Sequence, residues 1–476
     1  MNGLVARLPW FLLFIVLLVS PPPALGVGSA AQVTTMRLDY FHTGNTSQEL
    51  FSVDRVVIEP LPWPGNPNRP IDPTNRGTYF FEVRNLASAQ VLYSRGFSSI
   101  FGEWVTTDEA KKVNRTFHES VRFPAPDQTV KIVIKGRDRA NAFREIWSTT
   151  INPNDKMIDR SRPPFPGHVT EIENRGDPAF KVDLLFLGEG YTAAEQEKCD
   201  RDIRRLTEGL FAYSPFKGRR SDFNVWALCA PSPDSGVSHP SRGEYRNTLF
   251  GSSFDVFGEE RYALSFDNRA IRELASFAPY DALGIVMNSD EYGNGGIFGL
   301  YATVSIDYPT GIPVFVHEFG HHFADLGDEY YFTADVAYNP ANTRVEPWEP
   351  NITALLDPSH VKWHALIEPG TPIPTPWPKE CYENVVGDSQ KLIQKIRAEN
   401  RPQAEIRKVR RDRENAIEAC FSRGQYGGRV GAFEGAMYET QGYYRPEQQC
   451  IMLEGDQFCA VCRKAIEEIV DLYSRP

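Results

Sequence analysis

The sequence predicts an α+β protein with two successive domains, because its hydrophobic pattern changes once along the chain. In the first part, short alternating runs at 53–58, 79–83 and 130–134 are separated by clusters of Pro, Gly and Asn, which is typical of antiparallel sheets. After a proline-rich segment, strand-like runs alternate with longer amphipathic stretches. We therefore expect a β-sandwich-like N-terminal domain over residues 35–165 and a larger domain of strands and helices over residues 166–476.

Length and composition indicate a globular protein and argue against a nucleic-acid partner. The chain has 476 residues, of which 41% are hydrophobic and 24% charged, and this length suffices for two or three domains with a large core. The formal net charge is −11, whereas proteins that bind nucleic acids carry an excess of positive charge.

Residues 1–26 are predicted to be a secretory signal peptide. Arg7 supplies a positive charge, residues 10–19 are an apolar run, and Ala24, Leu25 and Gly26 offer a cleavage site with small residues. The apolar run is too short to span a bilayer of ~30 Å, and no later stretch is long and apolar enough to do so. We expect an exported protein, periplasmic or extracellular, without a transmembrane anchor.

Seven cysteines in an exported chain predict disulfide bonds, with one cysteine left over. Cys381 and Cys420 flank a charged helical stretch and could join its ends. Near the C-terminus Cys450, Cys459 and Cys462 lie close together in the sequence. A lone Cys-x-x-Cys can indicate zinc, but no second pair with zinc-finger spacing exists, so a disulfide bond or simple packing is the expectation.

Helices and strands alternate in the second domain. The apolar runs at 182–187, 223–228 and 283–287 predict buried strands. A capping box at 192–195 opens a predicted helix with three apolar residues facing the core, Ile203, Leu206 and Leu210. Residues 388–420 are helical and basic, and we interpret them as an exposed helical insertion.

The segment His317-Glu318-Phe319-Gly320-His321 predicts a zinc site. Residues four apart lie on one side of a helix, so both imidazoles of the segment can bind the same Zn²⁺. The intervening Glu318 can take a proton from a zinc-bound water as general base. Pro313 suits the first turn of this helix and Gly327 suits its end.

A third ligand is expected just after the helix. The position six residues beyond His321 is Gly327, which has no side chain, and Asp328 and Glu329 follow it. A glycine allows the chain to turn sharply and bring the next side chain back to the metal. We therefore predict Asp328 as the third ligand. Glu329 is the alternative, with hydrogen bonding to nearby backbone or to a histidine as its other role.

Several segments together resemble the IgA peptidase family of zinc metallopeptidases, which are Met-turn zincins like the clostridial IgA protease. They are the His317–His321 segment with Leu326-Gly327-Asp328-Glu329-Tyr330, Gly188-Glu189-Gly190-Tyr191, Tyr292-Gly293-Asn294-Gly295-Gly296, Tyr444-Arg445-Pro446 and Cys450-Ile451-Met452. The resemblance covers most of the chain after the leader, including the N-terminal domain. At one position the chain departs from the family: Asp325 replaces a glycine, which we interpret as a change on the helix surface.

The resemblance implies a zincin-like metallopeptidase domain with one Zn²⁺ per chain. It also implies that Met452 is the Met-turn residue beneath the zinc site. The glycine-rich segment 292–300 is expected to be an edge strand that pairs with the substrate. A tyrosine near the metal can donate to the oxyanion of the reaction, and Tyr444 is the candidate.

The predicted function is that of a secreted zinc-dependent endopeptidase acting on a protein or peptide substrate. His317, His321 and Asp328 would hold the zinc that activates water, with Glu318 as the proton carrier. The alternatives are a binding protein that has kept the zincin fold and a zinc hydrolase acting on a non-peptide substrate. The intact Glu318 argues against a binding protein, which has no need of a general base.

Overall fold

The computed structural model describes Gly3 and residues 33–162, 164, 167–331, 345–399 and 401–475. Apart from Gly3, the predicted signal peptide therefore lies outside the described residues. Three residues at the predicted domain boundary, 163, 165 and 166, also lie outside them.

The N-terminal part of the chain folds into two antiparallel sheets. Its elements in chain order are β1 (Thr34–Asn45), β2 (Gln48–Pro62), β3 (Tyr79–Asn85), β4 (Val91–Phe97), α1 (Ile100–Trp104), β5 (Arg115–Pro124), β6 (Val130–Arg137) and β7 (Phe143–Ile151). One sheet has the strand order β2-β1-β5 and the other β4-β3-β6-β7. The predicted runs at 53–58, 79–83 and 130–134 lie in β2, β3 and β6, so these three predictions are confirmed.

A shared apolar core joins the two N-terminal sheets. Alternate residues of a strand point to opposite faces, and the inward-facing ones here are large and apolar. Leu38 and Tyr40 of β1 belong to the same buried cluster as Phe81 of β3 and Ile132 of β6. The sandwich-like arrangement therefore follows from the alternating pattern.

The rest of the chain is built around a six-stranded mixed sheet. Its strands are β8 (His168–Glu173), β9 (Val182–Glu189), β10 (Phe223–Cys229), β11 (Ala282–Met287), β12 (Asn294–Ile297) and β13 (Tyr301–Ser305), in the order β12-β13-β11-β9-β10-β8. The four central strands are parallel and the two edge strands antiparallel to their neighbours. Every residue of β9 is buried, as expected for a parallel strand covered on both faces.

Helices and a small hairpin complete this part. They are α2 (Gln196–Leu210), α3 (Phe216–Arg219), α4 (Asn268–Ala275), α5 (Gly311–Ala324), α6 (Lys379–Ala398), α7 (Gln403–Phe421), β14 (Phe433–Ala436), β15 (Glu439–Arg445) and α8 (Ala460–Ser474). Helix α5 packs against β12, β13 and α8. In the described part of the chain, no helix is both long enough and apolar enough to cross a membrane.

The predicted elements of this part are present. The strands expected at 182–187, 223–228 and 283–287 lie in β9, β10 and β11, and the capping box at 192–195 precedes α2. The helical structure expected within 388–420 is present as parts of α6 and α7.

The cysteines pair only in part as expected. Cys381 and Cys420 form the predicted disulfide bond, which joins α6 to α7. A second disulfide, Cys199–Cys229, joins α2 to β10. Three cysteines instead of one remain unpaired, and they are those near the C-terminus, all of them buried.

Candidate active site

Helix α5 carries both histidines of the motif and is held by its apolar side. Phe315 and Phe319 are fully buried, with ring centroids 5.9 Å from Phe186 and 5.5 Å from Phe216. The opposite side carries His317 and His321, which stay partly exposed. Helical spacing thus separates the packing face of α5 from its chemical face.

Helix α5 ends before Gly327, the residue that was predicted to end it. Its last residue is Ala324, and Asp325 takes the left-handed conformation with φ 51° and ψ 40°. The backbone N–H of Asp325 donates to His321 O at 3.0 Å, which closes the last turn. Asp325 therefore does what glycine usually does at this position, and Gly327 is free to lie in the following loop.

The sequence suggested that Asp325 is a change on the helix surface, but its side chain contacts the N-terminal part of the chain. Its Oδ2 accepts a hydrogen bond from the backbone N–H of Gly77 at 2.6 Å. The neighbouring Arg76 donates to the carbonyl oxygen of Ala324 at 3.0 Å. That interpretation was wrong because the end of α5 contacts a segment of the N-terminal part, which the helix pattern could not reveal.

His317, His321 and Asp328 lie together, and we call them the histidine cluster. The two Nε2 atoms are 3.1 Å apart, and Asp328 Oδ1 lies 3.1 Å from that of His317 and 3.2 Å from that of His321. Three ligands bound tetrahedrally at ~2.0–2.1 Å from one zinc ion are ~3.3 Å apart. The spacing of the three atoms therefore fits a metal site.

Backbone carbonyls orient the two imidazoles. His317 Nδ1 donates to Ile451 O at 2.9 Å, and His321 Nδ1 donates to Leu326 O. Because a carbonyl can only accept, each Nδ1 carries a proton, and a ring that is deprotonated at Nε2 turns the lone pair of that nitrogen to the cluster. Two lone pairs and a carboxylate oxygen at this distance repel one another unless a cation lies among them.

The carboxylate of Asp328 is suited to that cation. Asp328 Oδ1 is buried and has no hydrogen-bond partner among the described residues, while Oδ2 accepts a hydrogen bond from the Tyr438 hydroxyl. Burial raises the pKa of Asp328, but the charge of His321 and the approach of both imidazoles lower it well below its usual range. Burial lowers the pKa of His321, yet Asp328 raises it to about 10. Asp328 is thus an anion that attracts positive charge.

Glu329 points away from the histidine cluster. Its Oε1 accepts a hydrogen bond from Asn351 Nδ2 at 2.9 Å and lies 3.4 Å from Cys462 Sγ. Of the two acids after Gly327, Asp328 is therefore the one that lies among the histidines.

Met452 lies beneath helix α5. Its side chain is fully buried, and a Cβ atom added to Gly320 would lie 3.1 Å from Met452 Sδ. The absence of a side chain at Gly320 thus lets the helix approach the methionine. The Met-turn role of Met452 stays a prediction.

Two cavities meet at Glu318. A cavity of about 310 Å³ is lined by His321 and Asp328, and a larger one of about 1200 Å³ is lined by His317. Three residues line both of them, Glu318, Arg261 and Tyr330. The N-terminal part contributes to the wall of the smaller cavity, and helices α6 and α7 contribute to that of the larger.

Three polar residues near Glu318 were given no role on the basis of the sequence: Tyr330, Arg261 and Tyr438. Tyr330 ends the segment Leu326-Gly327-Asp328-Glu329-Tyr330 and forms a hydrogen bond with Arg261. Its ring stacks on that of His317, with 6.1 Å between the ring centroids. Burial lowers the pKa of Arg261, but Tyr330, Tyr292 and Glu318 raise it above its ordinary value. Tyr438 contacts Asp328. Arg261 and Tyr438 have no local pattern that could have identified them.

Tyr444 lies elsewhere. It is on β15 opposite Glu434, and its backbone exchanges two hydrogen bonds with Thr353, of 2.8 and 3.0 Å. Tyr444 is not one of the described residues that line the two cavities.

The glycine-rich segment forms the predicted edge strand. β12 is the outermost strand of the six-stranded sheet, and a Cβ atom at Gly296 would lie 2.1 Å from Glu318 O. Glycine thus allows the strand to approach α5 closely. On its outer side Asn294 exchanges backbone hydrogen bonds with Arg261 and Ala263, at 3.1 and 3.3 Å. The pairing of a substrate with β12 stays a prediction, and it concerns the residues of β12 after Asn294.

Two sequence models of protein families match the chain. The model described as IgA Peptidase M64 matches residues 170–470, more than half of the chain. The model described as Peptidase M64 N-terminus matches residues 29–148, which include most of the two N-terminal sheets. No curated protein matches the sequence.

Proposed function

We propose, on the premise that this chain belongs to the IgA peptidase M64 family, that it is an exported zinc-dependent endopeptidase with a zincin-like catalytic domain. The family is one of peptidases, so its substrates are proteins or peptides. The observation that carries the zinc assignment is the convergence of three donor atoms, at 3.1–3.2 Å from one another, beside Glu318 and two cavities.

His317, His321 and Asp328 would hold the ion. Two imidazole nitrogens and one carboxylate are a usual ligand set of catalytic zinc, whereas Mg²⁺ and Ca²⁺ prefer oxygen ligands throughout. Bound there, zinc supplies a Lewis acid that polarises the scissile carbonyl and lowers the pKa of water.

Glu318 is the proposed proton carrier. It follows His317 directly on α5 and lines both cavities, so its carboxylate faces the space in which a peptide would lie. There the carboxylate can accept a proton from water and pass it to the leaving amine. The larger cavity, about 1200 Å³, is big enough for several residues of an extended chain.

Arg261 and Tyr330 are better placed than Tyr444 to donate to an oxyanion. Both line the two cavities beside Glu318, and they are hydrogen-bonded to one another. Oxyanion donors typically contribute 10²–10³-fold to kcat, so Tyr330→Phe should lower kcat on this scale while Tyr444→Phe leaves it unchanged. The opposite result would return the role to Tyr444.

The domain organisation is part of the proposal. A signal peptide at 1–26 would direct export, the domain at 35–165 would support the catalytic domain at 166–476, and α6 and α7 would form a charged helical insertion in it. The two separate family matches and the two disulfide bonds support this organisation.

The test is cleavage of a mixed library of fluorescence-quenched peptides by the purified mature protein. We expect cleavage that stops on chelation and returns on addition of Zn²⁺. Glu318→Gln should keep the metal and lose ~10²–10⁴-fold in kcat, because proton transfer is removed and the ligands are untouched.

The matched control is Glu197→Gln, which changes an exposed carboxylate on α2 and should leave kcat unchanged. Cleavage that survives chelation, or a Glu318→Gln variant with wild-type kcat, would contradict the proposed function.

A further inference from the structure

A second group of potential metal ligands lies next to the histidine cluster. It consists of Glu329, Cys450, Cys459 and Cys462, and we call it the thiol cluster. All four residues are buried, and one ligand atom of each lies within 4.8 Å of those of the others. None of the three cysteines has a disulfide partner. The proposed peptidase chemistry does not use this cluster.

The distances within the thiol cluster fit a tetrahedral metal ion. Cys450 Sγ lies 3.7 Å from Cys462 Sγ, whereas a disulfide bond joins sulfurs at ~2.05 Å. Glu329 Oε1 lies 3.4 Å from Cys462 Sγ and 4.0 Å from Cys459 Sγ. Ligands on a tetrahedral zinc ion, with Zn–S of ~2.3 Å and Zn–O of ~2.0 Å, are ~3.8 Å apart for two sulfurs and ~3.5 Å for a sulfur and an oxygen.

Backbone N–H groups point at two of the three sulfurs. The backbone N–H of Cys459 donates to Cys450 Sγ at 3.3 Å, and that of Cys462 donates to Cys459 Sγ at 3.4 Å. Cys459 also caps the N-terminus of α8, a helix of 15 residues, where the partial positive charge stabilises an anion.

The carboxylate of Glu329 lacks a partner for its second oxygen. Glu329 is fully buried, and within the described part of the chain its Oε2 has no hydrogen-bond partner. A buried carboxylate is costly unless it is paired or bound to a metal. The Asn351 amide that holds Oε1 is the kind of neighbour that orients a ligating carboxylate.

A buried cation offsets the negative charge of such a site. Zinc with three thiolates and a carboxylate carries a net negative charge, and Arg445, fully buried, interacts electrostatically with Glu329 and Cys450. Its Nε and Nη2 find no hydrogen-bond partner among the described residues. Arg445 therefore supplies positive charge near the cluster without occupying a ligand position.

We propose that the thiol cluster binds a second, structural zinc ion. Three thiolates select zinc over Mg²⁺ and Ca²⁺, which take oxygen ligands. Four buried protein ligands leave no open position for water or substrate, which is the property of a structural rather than a catalytic site. The ion is additional to the one in the histidine cluster and does not depend on the proposed peptidase activity.

Such an ion would join three segments that build the histidine cluster. Glu329 follows Asp328 directly, and its backbone N–H donates to Met452 O at 2.9 Å. Cys450 precedes Ile451, whose carbonyl accepts the hydrogen bond from His317. Cys459 caps the N-terminus of α8 and Cys462 lies in its first turn, and α8 packs on α5. The second ion would thus fix the loop with Asp328 and the turn with Ile451 against the helices.

The test separates the two sites by the atoms around the metal. We expect about two zinc ions per chain in the purified full-length protein and about one in the His317→Ala/His321→Ala double variant. In that variant zinc X-ray absorption should give a first shell dominated by sulfur at ~2.3 Å. A zinc-free double variant, or a first shell of nitrogen and oxygen only, would overturn the proposal.

Two further measurements keep the result interpretable. In the double variant, Glu329→Gln should weaken zinc retention against a chelator, whereas Glu197→Gln should not; equal retention would overturn the role of Glu329. Mass spectrometry of the native, unreduced protein should find the three cysteines unlinked, and a disulfide bond among them would overturn the site. A protein with sulfur-bound zinc but no peptidase activity would refute the proposed function alone.

Discussion

At the scale of single residues, two adjacent acids face two different clusters. Asp328 lies 3.1 and 3.2 Å from the imidazoles of the histidine cluster, and Glu329 lies against the cysteines of the thiol cluster. The peptide that joins them therefore connects the two proposed zinc sites. Substitution of either acid should weaken or abolish zinc binding at one site and leave the ligands of the other in place.

Asp328→Ala should lose the zinc of the histidine cluster and retain sulfur-bound zinc. The remaining pair of histidines is too few to hold the ion against a chelator, since catalytic sites use three protein ligands. Zinc content and the absorption first shell measure this outcome. Loss of sulfur-bound zinc with retention of the histidine-bound ion would mean that the two acids have exchanged roles.

His42 should make stability depend on pH above neutrality. It is fully buried between the rings of Phe51 and Phe101, at 4.2 and 3.8 Å between centroids, with Glu119 3.1 Å from Nδ1. Burial lowers the pKa of His42, but Glu119 and Glu49 raise it to about 9. Because the folded-state pKa exceeds the ordinary 6.5, the stabilisation is complete below pH ~6.5 and is lost as the pH rises through 9.

The loss should amount to about 3 kcal/mol in the free energy of unfolding. Denaturant unfolding of wild type and His42→Gln at pH 6 and pH 9.5 measures this loss. The difference in unfolding free energy between the two proteins should be smaller at pH 9.5 than at pH 6 by this amount. His360→Gln, at a strongly exposed histidine, is the control and should show no change. A wild-type advantage over His42→Gln that is equal at both pH values would contradict this prediction.

At the scale of elements, helix α5 is in contact with several other elements. Helix α5 packs on β12 and β13, contacts α8 and lies over Met452. Its glycine at 320 has the sulfur of Met452 and a ring carbon of Phe458 both 3.1 Å from where a Cβ atom would be. By contrast, Gly387 of α6 has nothing within 4 Å of that position.

The two glycines should therefore respond oppositely to alanine. Gly320→Ala should destabilise the protein by about 1–3 kcal/mol through overpacking and should lower zinc affinity, because the helix must shift. Gly387→Ala should stabilise it by about 0.5–1 kcal/mol, because alanine is the better helix former. Denaturant unfolding of both variants measures the two changes in the free energy of unfolding. Changes of the same sign would contradict the packing argument.

At the scale of the whole molecule, the N-terminal part contacts the end of helix α5. Arg76 is buried and donates to the carbonyl oxygens of Ala324 at the end of α5 and Ala465 in α8, each at 3.0 Å. The next residue, Gly77, donates to Asp325. The contact with Ala324 satisfies a carbonyl at the C-terminal end of α5 that the helix itself leaves unpaired.

Arg76→Ala should therefore affect the distant metal site. Loss of the guanidinium leaves the Ala324 carbonyl unpaired and removes the ion-pair partner of Glu468, which should cost about 1–3 kcal/mol and speed the release of histidine-bound zinc to a chelator. Arg144→Ala, at an exposed arginine of β7, should change neither quantity. If zinc release from Arg76→Ala is as slow as from wild type, the N-terminal part does not support the site.

Much of the fold and part of the site could be predicted from the sequence. Alternating and helical periodicities arise from contacts between near neighbours, which is why the strands at 182–187 and 283–287 and the capping box at 192–195 are found where they were expected. The four-residue spacing likewise brings the imidazoles of His317 and His321 to one side of a helix.

Only the tertiary structure decided which distant residues complete the two clusters. Tyr438 meets Asp328 across 110 positions of sequence, and Glu329 meets Cys462 across 133. Arg261 comes to Glu318 from a separate loop, and Gly77 comes to Asp325 from the segment that precedes β3. No periodicity links residues so far apart, because their contact depends on how the sheets and helices pack. The sequence by itself therefore determined the helix with its histidines and the acids that follow it, and folding decided that Asp328 and Glu329 turn to different partners.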